Sequence, residues 1–336
     1  MLPKLKQLIF KPIRLLFSMR KIPNNFHFVF GLKEQNEPFH LMFYLCLKSC
    51  LEVNRPDKIF FYYSHEPYGV YWELIRPHLE MVKVSKVDFL KSFDHHNLSV
   101  EKYSYAHHAD FIRVEKLIEH GGIYADMDTL FIKKIPDRLY DKPYVLGREP
   151  DIWSQTTGKM EKSLCNALIM SQQGASFGKH WLEEMPGFYD GTWSNHSTVL
   201  PQKLSEQYPD EIHIEPQRSF YHFSYSKENL QKLFMDHTDD IEDVYSIHLW
   251  NHLWFSRLKN DYSSFHGGKL NYSYIQQAET TFAKLARPFL PDEDTLKQTP
   301  TGIGILEAAA KTSRKVKQEL EFLQKRVIRK LKKFSA

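Results

Sequence analysis

Short apolar runs and longer amphipathic stretches alternate along this chain. "FHFVFGL" (26–32) is an apolar run closed by Gly31 and predicts a buried strand. "PFHLMFYLCLKSCLEVNRP" has helical length and stops at Pro56, and "DKIFFYYSHEP" is rich in aromatic and branched residues, as strands are. "YWELIRPHLEMVKVSKVDF" reads as a short helix followed by a strand. From Ala106 to His120 the apolar residues Phe111, Val114, Leu117 and Ile118 recur at helical spacing, and Gly121–Gly122 supply a helix stop. "IYADMDTLFI" (123–132) then reads as one strand. Further on, "SLCNALIMS" predicts a strand, "GKHWLEEM" a helix, and "VYSIHLWNHLWF" a strand running into a turn. Strands alternating with helices predict an α/β fold with a largely parallel sheet.

The ends differ from this middle. Residues 287–304, "RPFLPDEDTLKQTPTGIG", read as a linker. After them Val316, Leu320, Leu323, Val327, Leu331 and Phe334 mark one face of an amphipathic helix, with Lys and Arg on the other. Charge sharpens the contrast. Residues 1–21 hold six basic residues and no acid, and 311–336 hold ten basic residues against two acids. The two ends therefore sum to +14 in a chain whose net charge is +4, so residues 22–310 carry −10. An acidic body argues against nucleic acid as a partner. Basic tails with apolar residues among the charges suit an anionic membrane surface; a C-terminal helix docked on the body is the competing reading. No run of 18 apolar residues predicts a transmembrane helix. The opening "MLPKLKQLIFKPIRLLFSMR" is too charged for a signal-peptide core and reads as an interfacial or disordered segment. Cys46, Cys50 and Cys165 have no metal-ligand spacing and read as small buried hydrophobes.

The chemistry centres on Asp126 and Asp128. Carboxylates inside an apolar run are costly to bury unless something compensates them. In a strand, residues two apart share a face, so the pair would point the same way with Tyr124 beside it. Such a pair can hold one divalent ion through hard oxygen ligands, and the ion can neutralise a departing diphosphate. A solvated edge strand is the bland alternative. Haloacid-dehalogenase phosphatases offer another, since they carry two aspartates at this spacing. Here "DMDTL" lacks their glycine, and "DHTDD" (236–240) lacks the glycine of their later metal motif.

"ADFIRVEKLIEHGGIYADMD" resembles the sugar-binding region of the DXD glycosyltransferases. That group includes bacterial polysaccharide and lipopolysaccharide transferases, yeast-type initiating mannosyltransferases and, more distantly, the clostridial glucosylating toxins. Asp110, Arg113, Leu117, Gly121, Gly122, Tyr124, Asp126 and Asp128 fall in register with its pattern. "IPNNFHFVFG" resembles the family's opening strand, "NALIMS" its asparagine-containing strand, and "SIHLWNHLW" its closing His-x-x-x-x-x-Trp element. Phe30 stands where the family often has Trp, Ala109 where Ser is common, and Leu253 replaces the Ser before the closing Trp.

The resemblance implies a GT-A fold and a metal-dependent, retaining hexosyltransferase using a nucleotide sugar, UDP-linked. The cofactor would be Mn²⁺ or Mg²⁺, held by Asp126, Asp128 and His248. Asp110, Arg113 and Asp128 would be the catalytic set. Phe28, Phe30, Tyr124, Asp126, Asn166 and Trp254 would bind the donor. A lone histidine among 17 is more often structural, and an Asp–Arg pair three apart on a helix is often only an ion pair. The acceptor would be a lipid-linked surface glycan (capsule, O-antigen or lipopolysaccharide) made at the cytoplasmic face of the cell membrane. A non-enzymatic sugar-binding protein is the remaining alternative. The expected organisation is a basic N-terminal segment (1–21), a transferase domain (22–286), a linker (287–304) and a basic amphipathic helix (305–336).

Overall fold

A computed structural model describes residues 21–85, 98–154, 157–251, 255–256, 261–262 and 270–298. The expected basic N-terminal segment, except Lys21, and the expected C-terminal helix lie outside these residues, as does Trp254.

The centre is a seven-stranded sheet. Its first four strands are β1 (Asn25–Val29), β2 (Lys58–Tyr63), β3 (Glu80–Lys83) and β4 (Gly122–Ala125). A short β5 (Thr129–Phe131) and then β6 (Tyr144–Arg148) follow. A hairpin of β7 (Ile152–Ser154) and β8 (Lys159–Glu161) leads into β9 (Leu164–Ser171), and β10 (His213–Glu215) completes the sheet. The order is β10-β6-β9-β4-β1-β2-β3. Every strand runs the same way except β9, which is antiparallel to both β4 and β6. The expected mostly parallel α/β architecture is therefore present.

Period-two alternation divides the core. In β1, Phe26 and Phe28 face one layer, with α1 (Leu41–Ser49), while Val29 faces the other. That second layer holds α2 (Leu98–His120) and α3 (Ser176–Phe188) through Phe111, Val114, Leu117 and Trp181. Cys46, Cys50 and Cys165 are buried free thiols, as their spacing suggested. Of the stretch read as linker, Arg287–Phe289 forms a 3-10 turn and Glu293–Gln298 a helix, and Phe289 packs into the core. Among the described residues, no helix is long and apolar enough to cross a membrane.

The chain passes from α2 to β4 through Gly121 and Gly122. Gly121 has φ +63° and its amide donates to Leu117 O at 2.8 Å, a left-handed cap. Gly122 has φ +114°, and a Cβ there would lie 2.5 Å from Asn25 O and 2.8 Å from His27 Nε2. Only glycine lets β4 come this close to β1.

His27 seals the same junction. Its Nε2–H donates to the carbonyl of Gly121 at 2.8 Å, which leaves Nδ1 to accept from the Tyr62 hydroxyl at 2.9 Å. The ring stacks on Phe60 at 5.0 Å. Burial lowers its pKa to about 4. A depressed histidine favours the fold fully above the unfolded value near pH 6.5, and this contribution is lost as pH falls toward 4. The wild type should lose about 3 kcal/mol through this group across that window. Urea unfolding at pH 7 and pH 4.5 checks it: His27→Gln should be less stable at pH 7 and lose clearly less on acidification.

Candidate metal and donor site

The DXD stretch is not one strand. β4 ends at Ala125, and β5 begins at Thr129. Asp126 to Thr129 forms a turn in which Thr129 N donates to Asp126 O at 3.0 Å, while Asp126 N is held by Ala167 O at 2.8 Å. The expectation that strand alternation aligns Asp126 and Asp128 is therefore corrected. A turn at the carboxyl end of β4 brings them together instead. Clefts at the carboxyl ends of parallel strands are where α/β folds bind ligands.

The third member comes from far along the chain. β11 (Ser246–His248) pairs antiparallel with β5, placing His248 opposite Thr129. His248 Nε2 then lies 3.3 Å from Asp128 Oδ1 and 3.8 Å from Asp126 Oδ2. The ring is buried, and neither nitrogen has a well-formed hydrogen bond. Two carboxylates and a buried imidazole whose ligand atoms all lie within 4.8 Å of one another fit a divalent cation. Burial works against charge on His248, yet Asp128 and Asp126 together hold its pKa above the ordinary imidazole value. Burial pushes Asp126 above the usual carboxylate range against the pull of Arg113, and Asp128 adds to the rise. Two neighbouring carboxylates facing a buried imidazole are a charge arrangement that a cation would balance.

Arg113 joins this trio to a second cluster. Its guanidinium lies 3.1 Å from Asp110 Oδ1 and 3.3 Å from Asp126 Oδ1, and it stacks over the Tyr124 ring at 4.5 Å. Nη1 also donates to Asn166 O at 2.8 Å. The Tyr124 hydroxyl donates to Asp126 Oδ1 at 2.6 Å. Asn166 Nδ2 donates to Asp110 Oδ1 at 2.7 Å. Asn166 reaches both partners because β9 is irregular against β6: Leu146 faces Ile169, but Gly147 already faces Cys165. Such bulges re-aim side chains beside sites.

Sequence reasoning missed several residues here. His196, on a π-helical turn (Asn195–Val199), binds Asp110 Oδ2 through Nε2 at 2.9 Å and is fully buried. Burial alone would raise the Asp110 pKa, but Arg113 and His196 outweigh it and hold it low. His107, one turn before Asp110 on α2, completes a His107–Asp110–His196 group. Trp250 and Asn251 follow β11: the Trp250 ring lies 4.2 Å from that of His248, and Asn251 N donates to Asp128 Oδ2 at 2.7 Å. Glu149, just past β6, is a buried carboxyl raised by burial, and its Oε1 has no hydrogen-bond partner. None of these has a local signature apart from Trp250 and Asn251, which sit within "SIHLWNHLW".

Asp110, Arg113, Tyr124, Asp126, Asp128, Asn166 and His248 thus form one connected group. Phe28 does not join it: its ring has no accessible surface and packs in the core beneath the sheet. Phe30 is partly exposed at the border of an aromatic cluster, edge-on to Phe39 and tilted against Phe43.

Residues 43–146 match the family model described as "Glycosyltransferase sugar-binding region containing DXD motif". The chain is 30% identical over 292 residues to "Glucan organizing enzyme 1" of Cryptococcus neoformans var. grubii, covering 84% of this chain and 75% of that protein. Among solved structures it is similar to the WbbM bifunctional glycosyltransferase, with a TM-score of 0.45 at 8% identity over 85% of this chain and 51% of that one. It is also similar to the galactosyltransferase LgtC, with a TM-score of 0.39 at 14% identity over 80% of this chain and 98% of that one. The sequence relative and the family match leave no place for the phosphatase reading of the aspartate spacing. This chain belongs to the glycosyltransferases whose sugar-binding region contains a DXD motif, here Asp126-Met127-Asp128.

Proposed function

We propose that this glycosyltransferase is metal-dependent and retaining, and that it moves a hexose from a UDP-linked donor to a growing surface glycan. The convergence of Asp126, Asp128 and a buried His248 whose ring nitrogens make no well-formed hydrogen bond carries this reading. Those three residues would hold Mn²⁺ or Mg²⁺, which supplies Lewis-acid neutralisation of the diphosphate leaving group. Arg113 is the fixed cation beside them and sits within reach of the same anionic group. Asp110 is held by Arg113, Asn166 and His196, so it acts as an oriented acceptor for donor hydroxyls rather than as a free nucleophile. Retention then proceeds on one face. The bond from the anomeric carbon to the diphosphate breaks, the acceptor oxygen bonds on the same side, and its proton passes to the departing phosphate oxygen.

The acceptor is a lipid-linked glycan, and the enzyme works peripherally on the cytoplasmic face of the membrane. Lys325, Arg326, Arg329, Lys330, Lys332 and Lys333 support this, because clustered basic residues beside apolar ones favour anionic lipid. The fungal relative is named for glucan, which supports a polysaccharide product.

Incubation with a panel of nucleotide sugars should release nucleoside diphosphate with Mn²⁺ present and none with EDTA. Release that ignores chelation would overturn the metal dependence. Asp128→Asn removes charge but little volume, and it should lower turnover at least a hundredfold while the melting temperature stays within a few degrees. Asp110→Asn should lower donor turnover at least tenfold with Mn²⁺ affinity little changed; a comparable loss of Mn²⁺ binding would place Asp110 at the ion instead. Deletion of 305–336 should sharply reduce partition of the full chain onto anionic vesicles; unchanged partition would take the C-terminal helix out of the reading, and no partition by the full chain would remove the membrane.

A further inference from the structure

The turn after β11 carries a backbone strain that the proposed reaction does not use. Trp250 has φ +53°; among the described residues only Arg55 is another non-glycine with positive φ. A bulky side chain rarely adopts this conformation, and such strain gathers at functional sites. Three contacts hold Trp250 there. Its Nε1–H donates to Phe223 O at 2.9 Å, its ring lies 4.2 Å from that of His248, and Tyr225 meets it edge-on at 5.2 Å.

The hydrogen bonds show what the kink achieves. Up to this point the chain follows the ladder with β5, and Leu249 N still donates to the backbone oxygen of Asp128 at 2.9 Å. An extended residue next would carry the chain past the end of β5. The left-handed residue instead turns it back, so that Asn251 N–H meets the Asp128 carboxylate at Oδ2, 2.7 Å away. Oδ1 is left on the side of His248 Nε2, 3.3 Å away. A backbone donor on a carboxylate oxygen is a charge-assisted bond of fixed direction.

We propose that the left-handed Trp250 is a positioning residue for the cation site: it aims the Asn251 amide at Oδ2 of Asp128, fixes the rotation of that carboxylate, and leaves Oδ1 as its ligand oxygen. The same indole packs on the His248 ring, so one residue orients two of the three ligands. This rests on reading Asp126, Asp128 and His248 as a metal site.

Two measurements on the full chain test it. The first uses no metal. Hydrogen exchange across the segment holding Asn251 should be slow in the wild type and fast in Asp128→Ala and Trp250→Ala. In Trp250→Gly it should be slower than in Trp250→Ala, because glycine adopts positive φ freely. The second titrates Mn²⁺ alone and follows the free ion by electron paramagnetic resonance. Trp250→Ala should weaken binding about tenfold, the scale of the left-handed penalty, and Trp250→Gly should bind several-fold tighter than the alanine variant. A residue that only packs would give the reverse order, since glycine removes more side chain and loosens the backbone. Alanine equal to or better than glycine in both measurements overturns the proposal, as does an Asn251 amide that exchanges equally slowly in Asp128→Ala. The expected exchange pattern without Mn²⁺ binding by the wild type would sink the metal reading while keeping the hold of this turn on Asp128.

Discussion

A buried guanidinium holds this site together. Asp110, Asp126 and Asp128 are carboxylates taken largely out of water, and without a countercharge such groups neutralise or unfold what surrounds them. Arg113 lies between Asp110 and Asp126 and rests on the face of Tyr124. Its planar fork also takes the Asn166 carbonyl. A lysine could not satisfy these directions at once, because it is a point charge on a flexible stem. Three separate elements therefore meet at one side chain: α2 supplies it and the β4–β5 turn and β9 bind it, while the turn at His196 fixes the aspartate it pairs with. A network of this kind is rigid when every member is bonded and fragile when one is missing.

Much of the architecture was legible from local patterns. The period-two strands and the helix ending at Gly121 follow directly from which faces are buried, and that burial is written in the order of apolar residues. The same periodicity shows why Phe28 is a core residue: it shares the face of Phe26, while Val29 looks the other way. The aspartate pair was legible as chemistry but not as geometry. Strand alternation and a turn both make residues two apart converge, and only the bonds at Asp126 N and Thr129 N tell them apart.

What the sequence hid is what long-range contact creates. His196 reaches Asp110 across 86 positions, and Asn251 reaches Asp128 across 123. A histidine in a polar stretch carries no mark of such a partner, and a backbone amide carries none at all. Glu149 is similar: it lies just past the end of β6 and is buried there, which no single segment announces. The family model spans 43–146 and so contains Asp126, Asp128 and Arg113 but neither Asn166 nor His248.

The pairing of β5 with β11 has a consequence for how the molecule opens. It is a two-stranded patch of three residue pairs, separate from the main sheet, and it joins distant parts of the chain. Closing a loop of that length costs about 4 kcal/mol in chain entropy, more than a few net hydrogen bonds of about 1 kcal/mol each can offset alone. The patch therefore forms on a core that is already built, and Leu130, Phe131, Ile247 and Leu249 are buried in the same cluster as Phe26 and Phe28. His248 and the Trp250 turn travel with it. Opening this pairing would expose apolar core surface, so Asp128 and His248 part only when the packing around them gives way, and a ligand held between them would leave slowly.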